Sequence, residues 1–232
     1  MTIQVVQHTS AEYLGLIEDH LEGRGMRFRY CRPFAGKTPL PKPDALGDGL
    51  ILLGGGPWGS AGTRDVPTLS QEILLATKCL EKELPIVGVG LGAQILAIAA
   101  GGRSEPSALE FSVGKAARVS EKALSGYLPP EYPLAIYMRD WPVPPAHAEI
   151  LARDEKGRAA LWQVGARAFG FAGHPGLKVA MVEDLIMEFE EAPQEVATGL
   201  ARLRAVQRDI EDALVPIMTG LVQLTGWINV SV

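Results

Sequence analysis

Apolar and polar positions divide the chain into short strands and helices that follow one another. Ile3–Gln7 alternates as a strand. His8-Thr9-Ser10 is a polar break, and Ser10 is placed to cap a helix from Ala11 to about Leu21, with Tyr13, Leu14, Ile17 and Leu21 on one face. Gly23 and Gly25 end that helix, and Arg27–Cys31 alternates as a second strand. Residues 32–49 are rich in Pro, Gly, Lys and Asp and read as a surface loop. Gly49–Leu53 is a third strand that enters a glycine loop, 54–56. Ser60–Thr68 is polar, and Leu69–Leu84 reads as a helix. Strands alternating with helices predict an α/β fold of three layers, a mostly parallel central sheet flanked by helices.

The densest pattern lies at 85–102. Pro85–Val89 is an apolar strand, glycines follow at 88, 90 and 92, and Ala93–Ala100 is an apolar helix closed by Gly101-Gly102. A strand turning sharply into a helix lifts one residue over the helix N-terminus, where backbone N–H groups gather. In hydrolase-type folds that tip carries the nucleophile. Here the tip is Gly90, which has no side chain. Downstream, Val113–Val119, Leu134–Met138, Ala159–Val164 and Ala168–Ala172 are shorter apolar runs broken by Pro and Gly, as in an antiparallel or edge region. Val179–Glu190 reads as a helix.

The stretch Gly88-Val89-Gly90-Leu91-Gly92-Ala93-Gln94, with Gly101-Gly102 behind it, resembles the nucleophile elbow of the class I glutamine amidotransferases, whose pattern is Gly-x-Cys-x-Gly-x-Gln. Three further segments match in order. Ile51-Leu52-Leu53-Gly54-Gly55-Gly56-Pro57 resembles the family's oxyanion loop. Asp140-Trp141-Pro142-Val143-Pro144 with Ile150-Leu151-Ala152 resembles the segment before the last core strands. Phe169-Gly170-Phe171-Ala172-Gly173-His174-Pro175 resembles the strand carrying the family's His-Pro-Glu, with Gly176 in place of the glutamate. The likeness covers roughly residues 45–190 and points to the glutaminase domain of GMP-synthase type, with a flavodoxin-like sheet.

The resemblance implies glutamine hydrolysis by a cysteine thiolate, a histidine proton shuttle, an orienting glutamate and backbone oxyanion donors, with ammonia passed to a synthase partner. It places the nucleophile at Gly90 and the triad acid at Gly176, both lost, and leaves His174 as a remnant. Gly55, Gly56, Leu91 and Gln94 become the ligand-binding positions. Gln94 lines the glutamine pocket on that reading and packs or caps a helix on the plainer one. The Gly54–Gly56 loop is either an anion nest or a tight turn. Glycine at the tip accepts a positive φ that costs other residues roughly 1–3 kcal/mol. Cys31 and Cys79 fall in a strand and a helix rather than at a strained turn, so neither replaces the missing thiol. Ser60 and Thr63 have no neighbouring base in the sequence, and His8, His20 and His147 are scattered without metal-ligand spacing.

After Pro193 the pattern changes. Leu200, Leu203, Val206, Ile210, Leu214, Ile217, Leu221 and Leu224 recur at steps of three and four, an amphipathic helical stripe that Pro216 should kink or divide. The expected organisation is an amidotransferase-like domain over 1–190 and a C-terminal helical extension over 191–232. The stripe either packs on the chain's own core or forms a homo-oligomer or partner-protein contact.

The 232 residues are 47% hydrophobic and 21% charged, enough for one sizeable core. A net charge of −5 without a basic run argues against nucleic acid and anionic membranes. No apolar run approaches the roughly 20 residues of a membrane span. The opening segment lacks the basic and apolar regions of a signal peptide, and two cysteines make no disulfide framework, so a cytoplasmic protein is expected. The functional expectation is a cofactor-free, metal-free binding, regulatory or complex subunit without glutaminase activity, with glutamine or another small molecule in the old cleft. The alternative is a divergent amidotransferase or hydrolase that uses His174 with a non-standard nucleophile.

Overall fold

The computed structural model describes residues 2–36 and 39–228. Its centre is a nine-stranded sheet in the order β2-β1-β3-β4-β11-β10-β9-β6-β7. The strands are β1 (Thr2–Val6), β2 (Arg27–Cys31), β3 (Leu50–Leu52), β4 (Ile86–Val89), β6 (Glu110–Arg118), β7 (Glu131–Met138), β9 (Glu149–Asp154), β10 (Ala159–Val164) and β11 (Ala168–Phe171). From β2 to β11 every pairing is parallel, and beyond β11 every pairing is antiparallel. Two short strands that the sequence pattern does not show, β5 (Arg103–Glu105) and β8 (Trp141–Val143), pair separately.

Side-chain alternation in the parallel strands feeds both faces. Ile3, Val5, Ile51, Val87 and Val89 belong to one buried cluster. Val6, Leu50, Leu52 and Ile86 belong to the opposite one, together with Leu75, Ala76 and Cys79 of α2 (Leu69–Glu81) and Ile95 and Leu96 of α3 (Leu91–Ala99). The period of two therefore buries each strand on both sides, as a parallel sheet covered by helices requires. The first face is covered by α1 (Leu16–Glu22) and α5 (Val196–Leu224), while α4 (Val179–Glu188) packs with Phe111, Ala135, Tyr137 and the first half of α5 in a third cluster.

Two expectations need correction. The first helix does not begin at Ala11. Residues 9–15 are irregular, α1 starts at Leu16 after Gly15 (φ 59°), and Ser10 caps nothing. Its hydroxyl instead donates to Glu188 on α4, at 2.8 Å. A glycine inside a proposed helix costs about 1 kcal/mol against alanine, and tertiary bonds here favour a different path. Nor does Pro216 divide the last helix, which runs unbroken through it for 29 residues. The apolar stripe explains why: Leu203, Ile210, Leu214, Ile217 and Leu221 are all buried against the chain's own sheet and helices. That packing outweighs one missing N–H. Residues 229–232 of the expected extension lie outside the described residues.

Because α5 is part of the core, Leu214→Ala should cost about 2–5 kcal/mol in urea denaturation. A chain ending at 192 should lose cooperative thermal unfolding altogether, since it would expose the sheet face that α5 covers.

Candidate functional site

The elbow forms as the sequence predicts. β4 ends at Val89, and Gly90 sits at φ 55°, ψ −114° directly before α3. Its N–H donates to the Phe171 carbonyl at 2.9 Å, which ties the tip to the end of the neighbouring parallel strand β11. The bend is set by backbone: Ala93 and Gln94 both donate N–H to the Gly90 carbonyl. A Cβ at position 90 would have 3.5 Å to Gly54 Cα and 4.0 Å to Glu12 Oε1, so the tip has room for a side chain it does not carry.

His174 follows β11 and reaches the same end of the sheet. Its Nε2 donates to the Tyr13 carbonyl at 2.8 Å, and its Nδ1 accepts the Gly176 N–H at 3.1 Å. These partners assign the neutral tautomer protonated on Nε2. Burial pushes its pKa down to about 4, against the opposing pull of the Tyr13 carbonyl. At neutral pH the ring is an uncharged link between two backbone segments.

Gly176 is a close approach. A Cβ there would lie 2.9 Å from Ile17 N and 3.1 Å from Ile17 Cγ1, while the Gly176 carbonyl accepts the Leu16 N–H at 2.9 Å. The start of α1 thus fills the space beside position 176.

The glycine loop holds the largest surprise. Glu12, read from sequence as a helical position, lies 3% exposed against it. Its Oε2 accepts the Gly56 N–H at 2.8 Å. A Cβ at position 54 would overlap the Glu12 carboxyl, so glycine at 54 is what admits that group. Burial raises the Glu12 pKa to about 7; the Gly56 N–H and His8 oppose the rise, and Glu188 adds to it. Beside it, His8 bonds the Gly54 carbonyl through Nδ1 (3.0 Å) and Glu72 Oε2 through Nε2 (2.7 Å). Both partners accept, so both ring nitrogens donate and the ring is an imidazolium. Burial disfavours that charge, but Glu72, the Gly54 carbonyl and Glu12 outweigh it and the His8 pKa is raised.

Gln94, fully buried, joins two loops: Oε1 accepts from Ser60 Oγ (2.7 Å) and Nε2 donates to the Arg139 carbonyl (2.6 Å). Asp140 strengthens the same junction by accepting N–H groups of Ser60, Ala61 and Ser107. Leu91 packs within the buried cluster under α2 and α3, against Gly55. The loop is closed over by Phe189 and Leu185, both beside Gly56. Cys31 and Cys79 are buried, and burial pushes their thiols up to about 11 and 12. Among the described residues no group of three or more His, Cys, Asp or Glu could hold a metal ion, and no helix is long and apolar enough to cross a membrane.

The family model for class-I glutamine amidotransferases matches residues 19–180, more than two-thirds of the chain. The chain belongs to that family. No curated protein matches it. Among solved structures, a glutamine amidotransferase from Thermotoga maritima is 21% identical, with a TM-score of 0.81 over 97% of this chain and 98% of that one. A glutamine amidotransferase from Methylobacillus flagellatus is 22% identical, with a TM-score of 0.74 over 95% of each chain. A candidate GMP synthase subunit from Thermoplasma acidophilum is 17% identical, with a TM-score of 0.53 over 90% of this chain and 98% of that one. At these identities the likeness is one of fold.

Within this amidotransferase domain the structure brings Gly90, His174, Gly176 and the Gly54–Gly56 loop to one end of the sheet. Gln94 reaches the neighbouring loop junction. The sequence reading passed over Glu12, Glu72 and Glu188 and left His8 as one of several scattered histidines. The one signal for them was Gly15, a poor residue for the helix interior in which it was placed.

Two buried groups make opposed contributions to stability. Glu12, raised from 4.5 to about 7, stabilises the fold below pH 4.5 and loses that contribution as pH rises through 7. His174, lowered from 6.5 to about 4, stabilises it above pH 6.5 and loses that as pH falls toward 4. Urea denaturation across pH should therefore show Glu12→Gln gaining on the wild type between pH 4.5 and 7, by about 3 kcal/mol. A difference constant with pH would contradict the burial of an ionisable Glu12.

Proposed function

We propose that this class-I glutamine amidotransferase domain no longer hydrolyses glutamine and serves as a binding or regulatory subunit in the cytoplasm. The observation that carries the reading is the packing at position 176. A triad acid there would need the space that Ile17 and Leu16 occupy. Two further features agree with it. Gly90 offers no nucleophile, and the Nε2 proton of His174 is directed to the Tyr13 carbonyl rather than toward the elbow. Removing triad members from a working enzyme of this kind costs several orders of magnitude in rate.

The fold shared with a candidate GMP synthase component supports a synthase protein as partner. A partner or a second copy would meet the outward side of α5, where Arg202, Arg208, Glu211 and Asp212 are exposed, because the apolar stripe is already covered. Glutamine or another small ligand in the old cleft would have to share it with Glu12.

A glutaminase assay on the purified chain tests the proposal. No turnover is expected from the wild type or from Gly90→Cys, which should fold with a loss of roughly 1–3 kcal/mol for a side chain at positive φ. Gly176→Glu should be destabilised further and also inactive. Wild-type turnover abolished by His174→Ala would overturn the reading.

A further inference from the structure

A cavity of about 440 Å³ opens where the short β5–β8 pair meets the β9–β10 hairpin. Small-molecule sites are of this size, roughly 300–1,000 Å³. Trp141, Pro142 and Val143 of β8 line it, with Ile150 and Arg153 of β9 and Ala159 of β10. No residue of the elbow, the Gly54–Gly56 loop or the segment around Glu12 reaches it, and neither does His174.

Its walls are mostly apolar and stiff. Pro106, Pro142 and Pro144 contribute fixed rings. The Arg158 guanidinium lies 3.4 Å from the centre of the Trp141 ring, and both side chains line the cavity. Arg158 is held and neutralised from behind: its Nε donates to Asp154 at 2.7 Å, and its Nη1 is 3.8 Å from Glu110. The stack is therefore an anchored platform against which a flat aromatic group can lie.

The polar groups left over are donors. Trp141 is 7% exposed, and its indole N–H has no hydrogen-bond partner among the described residues. That nitrogen is not one of the fully enclosed orphan atoms, which are Ser104 Oγ, Tyr132 Oη, Tyr137 Oη and Trp162 Nε1, so it keeps access to solvent. Donors on so buried a side chain are ordinarily matched. Arg153 makes one side-chain bond, from Nη1 to the Gly157 carbonyl at 2.8 Å, and pairs with no carboxylate among the described residues. Glu105, the acid that lines the cavity, is already paired with Arg103. A spare cation and a spare N–H thus meet an apolar cavity, and what they lack is an anionic acceptor.

We propose that this cavity binds a small aromatic monocarboxylate. Arg153 takes the carboxylate, the Trp141 indole N–H is a second donor, and the ring lies against the Arg158–Trp141 stack and the prolines. The site goes beyond the reading of the cleft and does not depend on it, because the two share no residue.

Benzoate is the probe. Titrated into the full chain, it should move the Trp141 indole N–H resonance saturably, with a Kd of about 1 mM or tighter. Benzamide, which lacks the charge, and acetate, which lacks the ring, should each bind at least about tenfold more weakly. Arg153 is exposed, so Arg153→Gln should keep the thermal unfolding of the wild type and lose about tenfold or more in benzoate affinity. No saturable shift at Trp141, equal affinity for benzamide or acetate, or a folded Arg153→Gln that binds benzoate like the wild type overturns the proposal. Should that variant fail to fold, the comparison of the three ligands on the wild type decides.

Discussion

A carboxyl group pressed onto a glycine loop governs the rest of this site. Glu12 is buried with one backbone donor and a charged histidine beside it, and burial opposes its ionisation. Such a group is tolerated only where the surrounding chain fixes it from several directions. The irregular strap from Thr9 to Gly15 is held by Tyr30 from β2, by His174 after β11 and by Glu188 on α4, three parts of the chain far apart in sequence. Position 54 must be glycine for the carboxyl to enter, and position 176 must be glycine for α1 to begin where it does. The glycine that replaces the triad acid is thus part of the packing that carries the strap.

The elbow itself survives because it is a backbone structure. Parallel pairing of β4 with β3 and β11 fixes the strand end, and α3 begins at once behind it. Nothing in that geometry needs a side chain at the tip. Glycine takes the positive φ without the strain that a nucleophile bears there. The scaffold is therefore free of the reactive group without losing the bend.

The sequence made the parallel strands, the elbow, the glycine loop and the amphipathic C-terminal stripe legible, because each is written in local periodicity or in glycine spacing. The strap was not. Tyr13, Leu14, Ile17 and Leu21 fit a helical face, and Ser10 stands at a plausible cap. Its true fold depends on bonds to residues 16 to 178 positions away, which no local pattern records. His8 illustrates the same limit. It is an isolated histidine along the chain and a buried, doubly bonded imidazolium in space, since its partner Glu72 lies 64 residues on. Pro216 failed as a divider for the complementary reason: the helix around it is fixed by burial of Leu214, Ile217 and Leu221 rather than by its own N–H ladder.

The anchoring of the strap also bears on the order in which the chain can mature. The clamp on Ser10 and Ala11 comes from Glu188, and the tie on Tyr13 from His174, both late in synthesis. While the ribosome is still making the central strands, Glu12 is a water-exposed, ionised residue near the amino end. The contacts that hold it inward are complete only once α4 has been made. The segment that follows the first strand is thus tied down by residues synthesised after the last one.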